Sequence, residues 1–171
     1  LGPESYGVFG VLMSLYLINR SFLNTGLPRA VSKFLSESPE KIWSIFRSSF
    51  KIQFVMAVSF ALFYIIFAPL IADILHDQSL VHYIIFLGVM VIPLALMSLH
   101  TNGYLNGLCM FREQAYISTV YPIIRLVFTI ILVWGGWALW GALIGYFLSI
   151  LVGLFWCMYL LRKFNTKEDQ V

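Results

Sequence analysis

Residues 115–134 read AYISTVYPIIRLVFTIILVW, with one formally charged side chain, Arg125, in the run. A helix of this length is about 30 Å long, which matches the hydrocarbon core of a bilayer. Four further runs have the same character: Tyr6–Leu23, Ile52–Ile71, Leu80–Leu99 and Leu139–Leu161. Each is long enough to cross a membrane as a helix, and in lipid a helix satisfies its own backbone. The expected fold is therefore all-α, a polytopic transmembrane helix bundle with five spans.

Composition points the same way. The chain is 60% hydrophobic and 11% charged, with a mean hydropathy of +0.87. Soluble domains carry about 25% charged residues, and no soluble core of this size hides so much apolar surface. The net charge of +3 is too small to suggest nucleic acid. Cys109 lies between spans and Cys157 inside the last one, and both read as small hydrophobes.

Charge alternates along the connections. Leu1–Ser5, Ala72–Ser79 and Gly135–Ala138 hold no Lys or Arg. The connection after the first span, with its flanks, holds Arg20, Arg29, Lys33, Lys41, Arg47 and Lys51. Arg112 and the tail residues Arg162, Lys163 and Lys167 fall on the same side, so ten of the eleven basic residues share one face. By the positive-inside rule that face is cytoplasmic. The expected location is the cytoplasmic (inner) membrane, multi-pass, with the N-terminus outside and the C-terminus inside. An odd number of crossings, and a first residue that is Leu1, suggest a fragment of a longer protein with a span upstream. Trp134, Trp137 and Trp140 at the outer side and Trp43 at the inner read as interfacial anchors.

Between Pro28 and Pro39, Ala30, Val31, Phe34 and Leu35 share one helical face, and Arg29, Lys33 and Glu37 share another. Residues 28–38 are thus expected to form an amphipathic helix on the cytoplasmic surface. Arg29 and its neighbours attract either anionic lipid or an anionic substrate. Pro69, Pro93 and Pro122 lie inside spans and kink them, a feature of transporters and also of membrane helices generally. Gly141, Gly145, Ser149 and Gly153 place small residues every four positions, a helix-packing face. Gly103 and Gly107 repeat that spacing after Leu99.

Arg125 lies roughly 15 Å from either end of its run, near the midplane. A central Arg costs about 2.5–3.5 kcal/mol to insert, and each Leu, Ile, Phe or Val returns roughly 0.3–0.6. All eight acids, Glu4, Glu37, Glu40, Asp73, Asp77, Glu113, Glu168 and Asp169, fall in connections or at span ends. Ser118, Tyr121, Arg125 and Thr129 follow helical spacing and form one polar stripe. The stripe lines a cavity, or Arg125 pairs with an acid outside this fragment. Arg20, beside Asn19 and Asn24, lies about a turn inside the first span. It snorkels to the headgroups or joins the same cavity. His76 and His82 near Asp73 and Asp77 read as a solvated outer turn and not a metal site. No nucleophile–base set, phosphate loop or dinucleotide turn is present, so neither an enzyme nor a cofactor is expected.

Four stretches carry a family resemblance: Leu1-Gly-Pro-Glu-Ser-Tyr-Gly7, Gly26-Leu-Pro-Arg-Ala-Val-Ser-Lys-Phe-Leu-Ser-Glu37, Asn106-Gly-Leu-Cys-Met-Phe-Arg112 and Trp140-Gly-Ala-Leu-Ile-Gly-Tyr146. Together they resemble the polysaccharide biosynthesis (oligosaccharide flippase) family, of the multidrug/oligosaccharidyl-lipid/polysaccharide exporter superfamily. The likeness covers nearly the whole chain and corresponds to the second to sixth helices of an N-terminal lobe. It implies about twelve to fourteen helices in two lobes around a central cleft. It also implies export of a polyprenyl-pyrophosphate sugar to the outer leaflet by alternating access, for cell-surface polysaccharide biosynthesis. The partners it implies are membrane lipid, the lipid-linked sugar, and glycosyltransferases or a glycan polymerase. Family members often carry an acid where this chain has Asn24-Thr25, which counts against a cation or proton site there.

On this reading the head-group residues are Arg125, Arg20, Tyr121, Ser118, Thr129, Asn24 and Arg29, because Arg offers phosphate two parallel charge-assisted hydrogen bonds. A cation-coupled multidrug exporter would want a membrane-embedded carboxylate. A non-transporting assembly protein would explain the Gly/Ser face but not the midplane Arg.

The orientation has a direct check. With Cys109 and Cys157 replaced by Ser, a cysteine at Ser36 is expected to react with an impermeant maleimide from the inside and one at Gln78 from the outside. Labelling of both from one side overturns the assignment.

Overall fold

The computed structural model describes residues 3–38 and 41–168, with side chains described for 6–38 and 41–162. The chain is all-α, with no strand among the described residues. The first helix, α1, spans Pro3–Thr25, and Gly26 separates it from α2, Leu27–Glu37, which carries Pro28 in its first turn. A Pro there removes a donor that has no intrahelical partner anyway. The third helix, α3, runs Ile42–Ile74, and α4 runs Leu80–Ser98 and continues as a π-helical segment over Leu99–Leu105. The last two, α5 over Phe111–Leu132 and α6 over Ala138–Glu168, are joined by a distorted turn at Val133–Trp137.

Four continuous helical stretches are long and apolar enough to cross a membrane. The most apolar window of α3 has a mean hydropathy of 2.5, yet 22% of it is buried within the structure. Phe54, Val55, Leu62, Phe63, Ile66 and Leu70 on α3 are exposed, as are Ile123, Leu126 and Ile131 on α5. Surfaces of this kind are stable against lipid and not against water, and the chain is a multi-pass membrane protein.

The fourth stretch, Phe111–Arg162, is 52 residues long, more than twice what a bilayer needs. It folds back where Gly136 takes φ +88° and Ala138 φ +40°. The contacts across the hairpin fix its direction. A Cβ on Gly141 would lie 2.8 Å from the Leu132 carbonyl, one on Gly145 2.9 Å from Thr129 Cα, and one on Gly153 3.5 Å from the Tyr121 ring. Positions rise along α6 as they fall along α5, so the two legs are antiparallel. Small residues permit this spacing because lipid supplies no hydrophobic drive between helices and close packing must do the work.

The other hairpin, α3–α4, uses the same device on a stripe absent from the sequence reading. Ala57, Ala61, Ala68 and Ala72 are buried along α3, and a Cβ on Gly88 of α4 would lie 3.1 Å from the Ala61 carbonyl. At the turn between them, Asp73 accepts from Gln78 Nε2, and Asp77 Oδ1 accepts from the Ser79 amide at 2.9 Å. The fourth helix touches α1, α3 and α6 and so forms the centre of the bundle.

Three expectations need adjustment. The apolar run at 52–71 belongs to a helix that begins ten residues earlier, because the basic segment from Ile42 continues the same helix beyond the apolar part. The four apolar residues of the amphipathic helix do not share one environment. Val31 and Leu35, each 3% exposed, pack on Leu99 and Tyr104, while Ala30 and Phe34 are exposed. The cause is the glycine pair after Leu99: a Cβ on Gly107 would lie 2.8 Å from Leu35 Cβ and 3.0 Å from the Ser32 carbonyl. The pair makes a seat for α2. Trp140 also differs from a plain interfacial anchor, since its ring lies 4.8 Å from that of Tyr83 and 5.6 Å from that of Phe86.

The glycine contacts carry a stability prediction. Gly145→Ala is expected to cost about 1–3 kcal/mol through overpacking, seen as a lower melting temperature in detergent. Gly10→Ala, whose Cβ meets nothing within 4 Å, is expected to leave the melting temperature unchanged or to raise it.

Candidate functional site

Three helices each contribute a stripe to one cleft. From α1 come Tyr16, Arg20 and Asn24, at successive steps of four. From α4 and its π-helical extension come Leu94, Met97, Ser98, Thr101 and Asn102. From α5 come Ile117, Ser118, Tyr121, Pro122 and Arg125. Side chains three or four apart on a helix share a face, so each stripe follows from its spacing. The cleft has a volume of about 130 Å³. Among the described residues it is lined by two arginines and no acid.

Arg125 is half-buried. Its guanidinium carbon sits 4.8 Å from the centroid of the Tyr146 ring on α6 and 5.6 Å from that of Tyr121, one turn before it on α5. Cation–π contacts are worth about 0.5–1 kcal/mol when exposed and about 2 when desolvated. Two of them offset part of the cost of desolvating a guanidinium. Behind the rings, Tyr16 is 2% exposed, with its hydroxyl 3.4 Å from that of Tyr121 and its ring edge-on to Tyr146 at 5.7 Å.

The end of the cleft nearest the basic connections is crossed by a chain of amides and a hydroxyl. Ser98 Oγ donates to Asn24 Oδ1, Asn102 Nδ2 donates to the same oxygen at 3.4 Å, and Gln114 Nε2 donates to Asn102 Oδ1 at 3.5 Å. This chain ties the end of α1 to α4 and to the start of α5. The π-helical segment supplies Asn102 and Thr101; such wide turns occur often at functional sites. Side chains hold it in place: His100 Nδ1 meets the Leu96 carbonyl at 2.6 Å, and Thr101 Oγ1 donates to that of Met97. On its outer side Tyr104 stacks on Phe46 at 4.3 Å and its hydroxyl lies 2.9 Å from Ser49 Oγ. Gln53, on the same face of α3, donates to the Ala95 carbonyl at 3.2 Å.

Five of the residues singled out in the sequence meet in this cleft: Arg125, Tyr121, Ser118, Arg20 and Asn24. Thr129 does not line it. Its backbone lies where α6 comes close, 2.9 Å from an ideal Cβ on Gly145, and its buried hydroxyl has no hydrogen-bond partner among the described residues. The polar stripe therefore ends at Arg125, because the next turn of α5 is covered by α6. Arg29 is exposed on α2 and is not among the cleft residues. Gly141, Gly145 and Gly153 all sit at close contacts, and Ser149 is fully buried, its hydroxyl donating to the Tyr146 carbonyl at 2.7 Å.

Tyr16, Ser98, Thr101, Asn102 and Tyr146 were not expected here. The spacing of Tyr16 with Arg20 and Asn24, and of Ser98 with Asn102, carries the signal for four-residue steps on α1 and α4. Nothing local marks Tyr146, which reaches Arg125 only through the packing of α6 on α5. Among the described residues no group of three His, Cys, Asp or Glu side chains is placed to hold a metal ion.

A family model described as polysaccharide biosynthesis protein matches residues 1–171. Neither curated proteins nor solved structures give a match. The family match runs from end to end of the sequence, over a helical membrane bundle whose described cleft residues include two arginines and no acid, and the chain belongs to the polysaccharide biosynthesis protein family.

Proposed function

We propose that this chain forms part of a membrane flippase for a lipid-linked sugar, a polyprenyl-pyrophosphate oligosaccharide. The transporter moves its cargo from the cytoplasmic to the outer leaflet by alternating access and so supplies cell-surface polysaccharide synthesis. The observation that carries the reading is the charge of the cleft: Arg20 and Arg125 line one cavity with no carboxylate among its walls. A cationic drug or a coupling cation would meet repulsion there, whereas a pyrophosphate meets two arginines suited to bidentate contact.

In the proposed orientation the basic connections face the cytoplasm of the cell's inner membrane. Arg20 then stands nearer the cytoplasmic mouth and Arg125 deeper, so the head group meets one cation after the other. Asn24, Ser98 and Asn102 offer neutral hydrogen-bonding groups to sugar hydroxyls beside them. The polyprenyl chain stays in lipid. Glycosyltransferases that build the cargo and a polymerase that uses it are the partners this reading calls for. The work is transport, with no bond made or broken.

The test is made in cells that lack their own copy of the transporter, with surface glycan as the readout and membrane protein level as control. Arg125→Ala is expected to insert normally and to lower glycan export at least tenfold, the scale of losing a charge-assisted hydrogen-bond pair. Arg125→Lys is expected to restore part of it, since Lys keeps the charge and loses the fork. Full export by the Ala variant removes Arg125 from the transport path.

A further inference from the structure

A bare guanidinium at membrane depth usually finds a carboxylate. Here the contacts to Arg125 are two tyrosine rings, and no hydrogen bond or ion pair to it is formed among the described residues. The difference matters for an anion site. A carboxylate takes two parallel N–H groups of the guanidinium and cancels its charge. A ring face attracts the same charge through its quadrupole and occupies no acceptor position, so all five N–H donors remain.

We propose that Tyr146 and Tyr121 are positioning residues that stand in for a counter-ion, holding Arg125 at depth while leaving its donor fork open to a pyrophosphate. The inference rests on the reading of the cleft as an anion site. Tyr146 is the nearer ring, at 4.8 Å, and it sits on a different helix from the arginine, so it fixes the guanidinium relative to the bundle and not merely along α5. Its own place is set by Tyr16 at 5.7 Å and Phe9 at 6.3 Å, both edge-on, with interplanar angles of 89° and 79°. Gly145, the preceding residue, lets α6 approach the backbone of Thr129 closely enough for the ring to reach over. Tyr16 holds the second ring too, through its hydroxyl 3.4 Å from that of Tyr121. The three tyrosines come from α1, α5 and α6, so the box forms only when those helices are packed together.

The experiment uses the full-length protein in lipid nanodiscs, with inorganic pyrophosphate as the probe, titrated calorimetrically beside a melting curve for each variant. Tyr146→Phe keeps the ring face and is expected to bind within about threefold of the wild type. Tyr146→Leu loses the face and is expected to bind roughly 3- to 30-fold more weakly. Tyr146→Glu supplies a true counter-ion. It is expected to melt at or above the wild-type temperature and yet to lose pyrophosphate binding, because the carboxylate takes the fork. A merely structural ring would not give that split. Equal binding by the Leu and Phe variants overturns the proposal, as does wild-type binding by the Glu variant. Wild-type protein that binds no pyrophosphate, with Arg125→Ala indistinguishable from it, overturns the anion-site reading instead and the proposal with it.

Discussion

A half-buried arginine on an apolar helix, with no acid beside it among the described residues, is the constraint on which this part of the bundle is organised. Desolvation of a guanidinium is costly in any apolar medium, and something must return the cost. Here it is returned by aromatic faces, which act at short range and only in the right orientation. Short range demands that α6 lie close to α5, and closeness demands Gly141 and Gly145 at the contact. Orientation demands that the rings be fixed, and Tyr16 on α1 fixes them. One unfavourable group thus accounts for features spread over three helices. It also accounts for an arginine that is positioned in the cleft with no acid against it among the described residues.

The same economy appears at the end of the bundle nearest the basic connections. The π-helical segment after α4 widens the helix, and its outer face carries Gly103, which with Gly107 just beyond it seats α2. Its inner face presents Thr101 and Asn102 to the cleft. A single irregular segment therefore joins the amphipathic helix on one side to the polar wall on the other. Tyr104, stacked on Phe46, and His100, edge-on to both rings, anchor it to α3. The same segment thus touches α2 on one side and, through Asn102, shares a hydrogen bond with Asn24 on the other.

Much of the fold was legible because its signals are local. Run length marks spans, Pro28 marks the start of α2, and Gly135 with Gly136 marks the reversal between α5 and α6. The site was legible in proportion to how local it is. Ser118, Tyr121 and Arg125 share one helix face, and their spacing alone groups them. Thr129 obeys the same spacing and still falls outside, since periodicity says nothing of how far a neighbouring helix covers the stripe. Tyr146 was hidden for the opposite reason: it reads as one more aromatic in an apolar helix until α6 is laid against α5. Ala30, Val31, Phe34 and Leu35 share a helical spacing, yet only Val31 and Leu35 are covered, because spacing does not say which part of an apolar stripe meets another helix.

The antiparallel register of the last hairpin has a consequence for how such a chain can diverge. Each contact glycine of α6 is matched to one position of α5, from Gly141 at Leu132 to Gly153 at Tyr121. Inserting or deleting one residue in either leg rotates everything beyond it by about 100°. That would put side chains where the glycines are and swing Tyr146 away from Arg125. The turn around Gly135 and Gly136, where an added Cβ meets little or nothing, is free of that restriction. A change of length is therefore best accommodated in the turn, and the two legs act as a ruler whose marks cannot be moved one at a time.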